Sequence, residues 1–93
     1  MKDLTRLPFN KWSLGRIAEG RKICTSRNDR YDDPRVYLVL RLPLIVIRDY
    51  LWREEGADSP EEFEKVWRGI HRGRFEPLKF VYVHFGNFSD DVV

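Results

Sequence analysis

The most constraining feature of this sequence is a strongly marked helix that is followed directly by an alternating strand. Ser59 fits the N-cap of the helix, Pro60 its first position and Glu62 its third, which makes a capping box. One face then carries four apolar side chains at i, i+3, i+4 and i+7, closed by a glycine: Phe63, Val66, Trp67, Ile70 and Gly73. Residues 78–85 alternate as a strand does. The chain is therefore expected to combine helix and sheet.

The rest of the chain has weaker signals for the ends of its helices and strands. Residues 4–7 are expected to form a short first strand, and a helix is expected to begin with Asn10 as its N-cap. Residues 22–27 and 36–42 are expected to be strands, and a further helix is expected to close at Gly56. The order β-α-β, β-α, α-β predicts an α+β fold around a small curled sheet.

Length and composition limit the class of protein. At 93 residues the chain has room for one core, so residues 1–93 are expected to form one domain, with residues 89–93 frayed. A lone Cys24 excludes an internal disulfide, which fits a reducing compartment. The longest apolar run, residues 42–47, is far shorter than a membrane-spanning helix, and residues 1–11 lack the apolar block of a signal peptide. A cytoplasmic protein without a membrane partner is expected.

Charge is unevenly distributed along the chain. Residues 1–30 hold eight Lys or Arg against three Asp or Glu, whereas residues 31–66 hold five against nine. A basic face of this kind attracts phosphate even where the overall charge is modest. A solvated charged surface is the simpler interpretation, and the acidic middle segment would suit a protein-docking surface.

The densest group of reactive side chains lies at residues 20–27. It joins two guanidinium groups, one ammonium group, one thiol and two hydroxyls beside a helix end. Arg21, Lys22 and Arg27 are candidates for contacts with phosphate oxygens. The alternative is an edge strand that carries charge on its solvent face.

Three separated segments resemble the ASCH domain family, a branch of the PUA-like RNA-associated barrels. The first is Gly-Arg-Lys at 20–22, followed by Thr-x-Arg at 25–27. The second is Glu-Glu-Gly at 54–56, with the capped helix that follows it, and the third is the closing strand at 81–85. The segments occur in the family's order, and the resemblance covers most of residues 4–88.

The resemblance implies a fold and two functions. The fold would be a small PUA-like β-barrel, a curled mixed sheet with three flanking helices and a cleft. The family as a whole is thought to bind RNA, which implies an RNA- or nucleotide-binding domain with a basic cleft. Some members are enzymes: one type removes the acetyl group from acetylcytidine, and another has been described as a ribonuclease. The hydrolase type uses a lysine, a threonine and a glutamate, which match Lys22, Thr25 and Glu55 here.

The chemistry of such a trio is reasonable for an amidohydrolase acting on a modified pyrimidine nucleoside. A lysine removed from water loses its charge more easily and can take a proton from a hydroxyl. Thr25 would be the nucleophile or would position water, and Glu55 would move protons or orient the amide nitrogen. Lys22 and Thr25 are three residues apart, so they share one face only if Lys22 precedes the strand or the strand is bulged.

The candidate nucleic-acid-binding residues are Arg21, Lys22, Arg27, Arg30 and Trp52. Trp52 lies off the apolar stripe of its helix and is expected at a pocket wall or as an exposed platform, whereas Trp67 is expected in the core. Trp12 fits either place. No cofactor or metal ion is expected, because the chain has no P-loop, dinucleotide fingerprint or zinc-ligand spacing.

A DNA-binding helix-turn-helix is the remaining alternative, built from residues 44–55 and 60–72. The second of these helices begins with Glu61, Glu62 and Glu64, which would face DNA with negative charge where recognition helices contact bases. The sequence argues against that function. RNA or a modified nucleoside therefore remains the expected partner, and a protein partner is left open.

Overall fold

The computed structural model describes residues 3–89, which fold into three helices and three strands. In chain order the elements are α1 Lys11–Ala18, β1 Cys24–Arg27, β2 Val36–Pro43, α2 Leu44–Tyr50, α3 Pro60–Ile70 and β3 Phe80–Gly86. This is the α+β class that the order of elements predicted. None of the described helices is long and apolar enough to cross a membrane. Of the tail that was expected to fray, residues 90–93 lie outside the described part of the chain.

The sheet is antiparallel throughout residues 3–89. β3 is the central strand, with β1 on one side and β2 on the other. Its register sets His84 opposite both Thr25 of β1 and Val39 of β2. The expectation of a mixed sheet is wrong for these residues, because both neighbours of β3 run against it. Since β1 and β2 do not pair with each other, the described sheet is open and is not a closed barrel.

The main hydrophobic core is formed by the sheet, α2 and α3. α3 contributes Phe63 and Trp67, which are buried as the sequence predicted. Val66 is half-buried, and Ile70 at the end of the same stripe is 58% exposed. The other buried members of this core are Cys24, Leu44, Ile47, Ala57, Val81 and Val83.

Both helix starts that the sequence marked are capped by side chains. The Ser59 hydroxyl accepts a hydrogen bond from the Glu62 N–H at 3.1 Å, and Asn10 Oδ1 accepts one from the Ser13 N–H at 2.8 Å. The Glu62 carboxylate accepts the N–H of Asp58 at 2.8 Å, one residue before the position that a capping box uses. The caps satisfy backbone donors that have no partner inside a helix.

Residues 4–7 do not form the expected first strand. Leu7 is buried with Ile17 and Phe88 in a second, smaller cluster, and its N–H donates to the Asp33 carboxylate at 2.8 Å. The segment is therefore held by a side chain and by apolar packing. No local sequence pattern distinguishes that arrangement from pairing with a strand.

Three element boundaries also differ from expectation, one of them at β3, which begins at Phe80 and not at residue 78. β1 begins at Cys24, two residues later than expected, because the N–H groups of Ile23 and Cys24 both donate to the Glu54 carbonyl, at 2.9 and 3.2 Å. α2 stops at Tyr50, and residues 51–56 form turns instead of continuing the helix. These turns lay the glutamate-glycine segment against the start of β1.

Candidate functional site

A cavity of about 430 Å³ lies between the start of α1, the strand β1 and one side of α3. This volume falls in the range of roughly 300–1,000 Å³ that is usual for small-molecule sites. Its aromatic wall consists of Phe9, Trp12, Tyr31, Phe63, Trp67 and His71. The charged and hydroxyl side chains that line it are Ser13, Lys22, Thr25, Ser26, Arg27, Asp29 and Glu55. Such a lining suits a flat ligand with polar edges.

A buried ion pair forms one part of the cavity wall. Lys22 Nζ lies 3.1 Å from Glu55 Oε1 and also donates to the Glu55 backbone carbonyl at 3.0 Å. The side chains of Lys22 and Glu55 are only 3% and 5% exposed. Lys22 precedes β1, so it shares the cavity with Thr25 despite their three-residue spacing. The sequence had named this as one of two ways to bring them together.

The glycine after Glu55 allows this approach. Gly56 has φ +95°, and a Cβ atom there would lie 3.0 Å from the Cβ atoms of both Lys22 and Arg16. A larger residue would therefore be strained in its backbone and crowded on two sides. The Glu-Gly pair thus positions the carboxylate over the lysine by close backbone packing.

Glu55 also accepts hydrogen bonds from the buried start of β1. Ser26 Oγ donates to Glu55 Oε2 at 2.6 Å, and Cys24 Sγ donates to the same oxygen at 3.7 Å. Burial, followed by the nearby Glu55 charge, raises the pKa of the Cys24 thiol well above its usual value. A thiol with a raised pKa is a poor nucleophile, which agrees with the sequence interpretation of Cys24 as a buried spectator.

Thr25 and Arg27 lie on the same wall and contact each other. Arg27 Nε donates to Thr25 Oγ1 at 3.3 Å, so the threonine hydroxyl keeps its own proton available. The Arg27 guanidinium lies 5.5 Å from the Phe9 ring centre and 5.9 Å from that of Tyr31. Burial lowers the pKa of Arg27, but a guanidinium stays charged in proteins. The aromatic rings hold this cation at the edge of the cavity.

His84 fixes the back of the site, a role that no sequence feature indicated. It is fully buried; its Nε2 accepts the Tyr31 N–H at 2.9 Å, and its Nδ1 lies 3.3 Å from the Thr25 carbonyl. These contacts require a neutral ring that donates from Nδ1. Burial is the main cause that lowers the pKa of His84. The ring thereby ties the segment carrying Tyr31 to the strand carrying Thr25.

Three of the predicted nucleic-acid-binding residues do not line this cavity. Arg21 is ion-paired with Asp58 and lies 3.9 Å from Glu19. Arg30 is exposed and is not among the residues that line the cavity. Trp52 is half-buried against the main core and does not line this cavity either.

Trp12, which the sequence left undecided, lines the cavity instead. The guanidinium of Arg16 lies 5.1 Å from its ring centre. The sequence had favoured Trp52, because that residue lies off the apolar stripe of its helix, but the direction in which a side chain off the stripe points depends on how the elements pack.

The charges that line the cavity balance. Lys22 and Arg27 are its cations, and Glu55 and Asp29 are its carboxylates. The cavity is therefore polar but carries no net charge, which favours a neutral, hydrogen-bonding group over a phosphate. Within residues 3–89, no three His, Cys, Asp or Glu side chains are grouped so that they could hold a metal ion.

Comparison with known proteins adds no relative. No protein-family model, no curated protein and no solved structure matches this chain. The interpretation of the site therefore depends on its own geometry and chemistry.

Proposed function

We propose that this chain is an RNA- or nucleotide-binding domain and that its cavity receives a nucleobase. The observation that carries the proposal is the cavity of about 430 Å³ itself, with its aromatic wall and its balanced charges. Single-stranded nucleic acid is recognised by stacking bases on aromatic rings and by hydrogen bonds to their edges. This cavity provides groups for both kinds of contact.

The individual groups have separate parts in this binding mode. The rings of Trp12 and Tyr31 would stack on the base. The hydroxyl groups of Thr25 and Ser26 offer donors and acceptors to its edge. Arg27, held between aromatic rings, would contact a carbonyl oxygen or the sugar.

We further propose that the fold is a reduced form of the PUA-like architecture of ASCH domains. Two of the three segments that resemble that family, residues 20–27 and 54–56, supply the Lys22–Glu55 pair of the cavity. The third segment includes His84, which supports Thr25 from behind. Such a relationship would explain why residues distant in sequence converge here.

Calorimetric titration with ribonucleosides and short single-stranded RNA tests the binding proposal. Trp12→Ala should weaken binding by about 1–3 kcal/mol, the usual contribution of one base–aromatic contact. Trp52→Ala is the matched control, because Trp52 is a half-buried tryptophan that does not line the cavity. Thermal unfolding of both variants must show that they remain folded. Equal losses in the two variants, or no binding by the parent protein, would refute the proposal.

A second candidate function is hydrolysis of an acyl amide on a pyrimidine nucleoside, of the acetylcytidine type. It is favoured by one specific observation: Lys22, Thr25 and Glu55 all line the same cavity. The Lys22 ammonium is 3.1 Å from a Glu55 oxygen, so a proton can pass between them. Having passed that proton to Glu55, Lys22 would take the proton of Thr25, whose oxygen would attack the acyl carbonyl. The bond between that carbonyl and the nucleoside nitrogen would break as Glu55 returns its proton to the nitrogen. Water would then release the acyl group from Thr25 as a carboxylic acid.

Turnover separates this candidate from simple binding. The protein is incubated with acetylcytidine, and released cytidine is measured by chromatography. Lys22→Ala should abolish the reaction, whereas Lys65→Ala, on the exposed side of α3, should leave it unchanged. Absence of cytidine from the parent protein leaves binding as the function of the cavity. Activity that survives in Lys22→Ala would exclude the proposed mechanism.

A further inference from the structure

A second cavity of about 360 Å³ adjoins the first. The two share four lining residues, which form the partition between them: Asn28, Trp67, Ile70 and His71. His71 stacks on Trp67 with ring centres 3.9 Å apart and planes 15° apart. A ligand that extends from the first cavity into the second would therefore pass over these two stacked rings.

The second cavity differs from the first in charge. Its charged residues are three cations, Arg72, Arg74 and Lys79, against one carboxylate, Glu76. Glu76 lies 3.7 Å from Lys79, and both of these side chains are largely exposed. The excess positive charge is therefore on the two arginines, at the end of α3. Sequence analysis did not identify these two arginines as candidates, because residues 67–93 are nearly balanced in charge.

The backbone holds the first of these arginines in a closed turn. Arg72 has φ +56° and is followed by Gly73 at φ +82°. A left-handed residue at this place commonly ends a helix, and the Gly73 N–H donates to the Arg68 carbonyl at 2.7 Å. The turn is fixed by Arg68, which donates to the Gly73 carbonyl at 2.7 Å and to Glu64 at 2.8 Å. The guanidinium groups are thus carried on a turn that is set before any ligand arrives.

We propose that the second cavity binds the phosphate next to the base held in the first, so that the ligand is a nucleotide within a single-stranded nucleic acid. This inference rests on the proposed nucleobase binding. The first cavity has no spare positive charge, whereas the second has two guanidinium groups suited to paired contacts with phosphate oxygens. The sugar would lie across the His71–Trp67 partition. Recognition is thereby divided: one cavity reads the base, and the other holds the backbone.

The test measures how much a phosphate adds to binding. The four ribonucleosides, their 5′- and 3′-monophosphates and inorganic phosphate are titrated into three proteins at several salt concentrations. The proteins are the parent, Arg72→Gln/Arg74→Gln and the control Arg41→Gln/Arg53→Gln. The control removes the same charge from two exposed arginines that line neither cavity.

The expected result is that at least one monophosphate binds the parent and the control about tenfold or more tightly than its nucleoside. The variant Arg72→Gln/Arg74→Gln should lose this gain in affinity and should keep its affinity for nucleosides. Its affinity for the monophosphate should also depend less on salt concentration. The inference is wrong if nucleosides bind but monophosphates bind no tighter, or if the gain survives in that variant. It is also wrong if inorganic phosphate binds all three proteins with the same affinity. If no nucleoside or nucleotide binds the parent, the proposed function itself fails.

Discussion

At the scale of single residues, the Lys22–Glu55 pair is the most informative feature of the molecule. Removing two charges from water is costly, and apolar side chains of similar volume are often as stable or more stable in such a place. The pair is almost fully buried, yet it lies in a cavity wall where a ligand reaches it. A chain selected only for stability has little reason to keep it there.

Lys22→Met should destabilise the fold by about 3–5 kcal/mol, because it leaves the Glu55 charge buried without its cation. The double variant Lys22→Met/Glu55→Gln should be less destabilised than Lys22→Met alone, since no buried charge remains and Ser26 can still bond the amide oxygen. Urea unfolding at neutral pH measures both. If the double variant is as unstable as Lys22→Met, or less stable, the unpaired carboxylate charge is not the cause of the destabilisation.

His84 should make stability depend on pH. Burial lowers the pKa of His84 in the folded protein, so the folded state binds this proton less readily than the unfolded chain, where histidine titrates near 6.5. The stabilisation is complete above that value and should be lost as the pH falls below it, by at most about 1.4 kcal/mol per pH unit.

Urea unfolding between pH 8 and pH 5 checks this dependence. His84→Gln should abolish the part of the slope that lies near pH 6, whereas His71→Gln, at the other histidine of the chain, should retain it. An unchanged slope in His84→Gln would mean that the ring is not the titrating group.

The structure brings together three residues that were predicted from the resemblance. Lys22, Thr25 and Glu55 line one cavity, and their roles there stay a prediction. Arg21 was predicted with them, but it pairs with Asp58, a carboxylate 37 residues away in the chain. Partners so distant in sequence decide whether a charged side chain is free to bind, and no local pattern reveals them.

At the scale of the elements, the turns at residues 51–57 position the site more than any helix or strand does. The Glu54 carbonyl accepts the first N–H groups around β1, and the next residue supplies the carboxylate for Lys22. Gly56 lets the two segments touch. This arrangement ties the chemistry of the cavity to the end of α2.

Gly56→Ala should destabilise the protein by at least about 1–2 kcal/mol, because φ is +95° and the new Cβ would meet two Cβ atoms at 3.0 Å. Gly69→Ala is the matched control within α3, where a Cβ meets nothing within 4 Å. It should be neutral or should stabilise by up to about 1 kcal/mol through helix propensity. Thermal unfolding of the two variants gives the comparison. A neutral Gly56→Ala would contradict the close packing.

Elements with local end signals were the most predictable. The start of α3 was predicted correctly, because Ser59 caps it. Its end was placed too late: the helix stops at Ile70, and the left-handed turn begins at Arg72, before Gly73. Residues 4–7 and the extent of α2 were not predicted correctly. Residues 4–7 are held in place by the Asp33 side chain, and α2 is ended by turns that pack on β1.

At the scale of the whole molecule, the arrangement of charge is the feature that sequence analysis located least well. The basic excess of residues 1–30 suggested that phosphate contacts lie there, but the lining of the first cavity is balanced. The local positive excess is instead at Arg72 and Arg74, in a segment of nearly neutral composition. Net charge along a chain does not show which side chains share a surface after folding.

The α+β class followed from the order of the elements, whereas the closure of the sheet did not. Strand order depends on which strands meet in space, and here β3, the last in sequence, lies between the other two. Motifs within single segments therefore do not decide whether the sheet closes, and across the described residues it is open. The same central strand carries His84 to the back of the site.

The most direct test of base binding in the cavity is a ribonucleoside titration followed by the three tryptophan indole N–H signals in NMR spectra. Trp12 and Trp67 line the cavity, whereas Trp52 does not. The signals of Trp12 and Trp67 should shift together along one binding curve, and the Trp52 signal should stay in place. Shifts confined to Trp52, or no shift of any indole with any of the four ribonucleosides, would contradict the proposal.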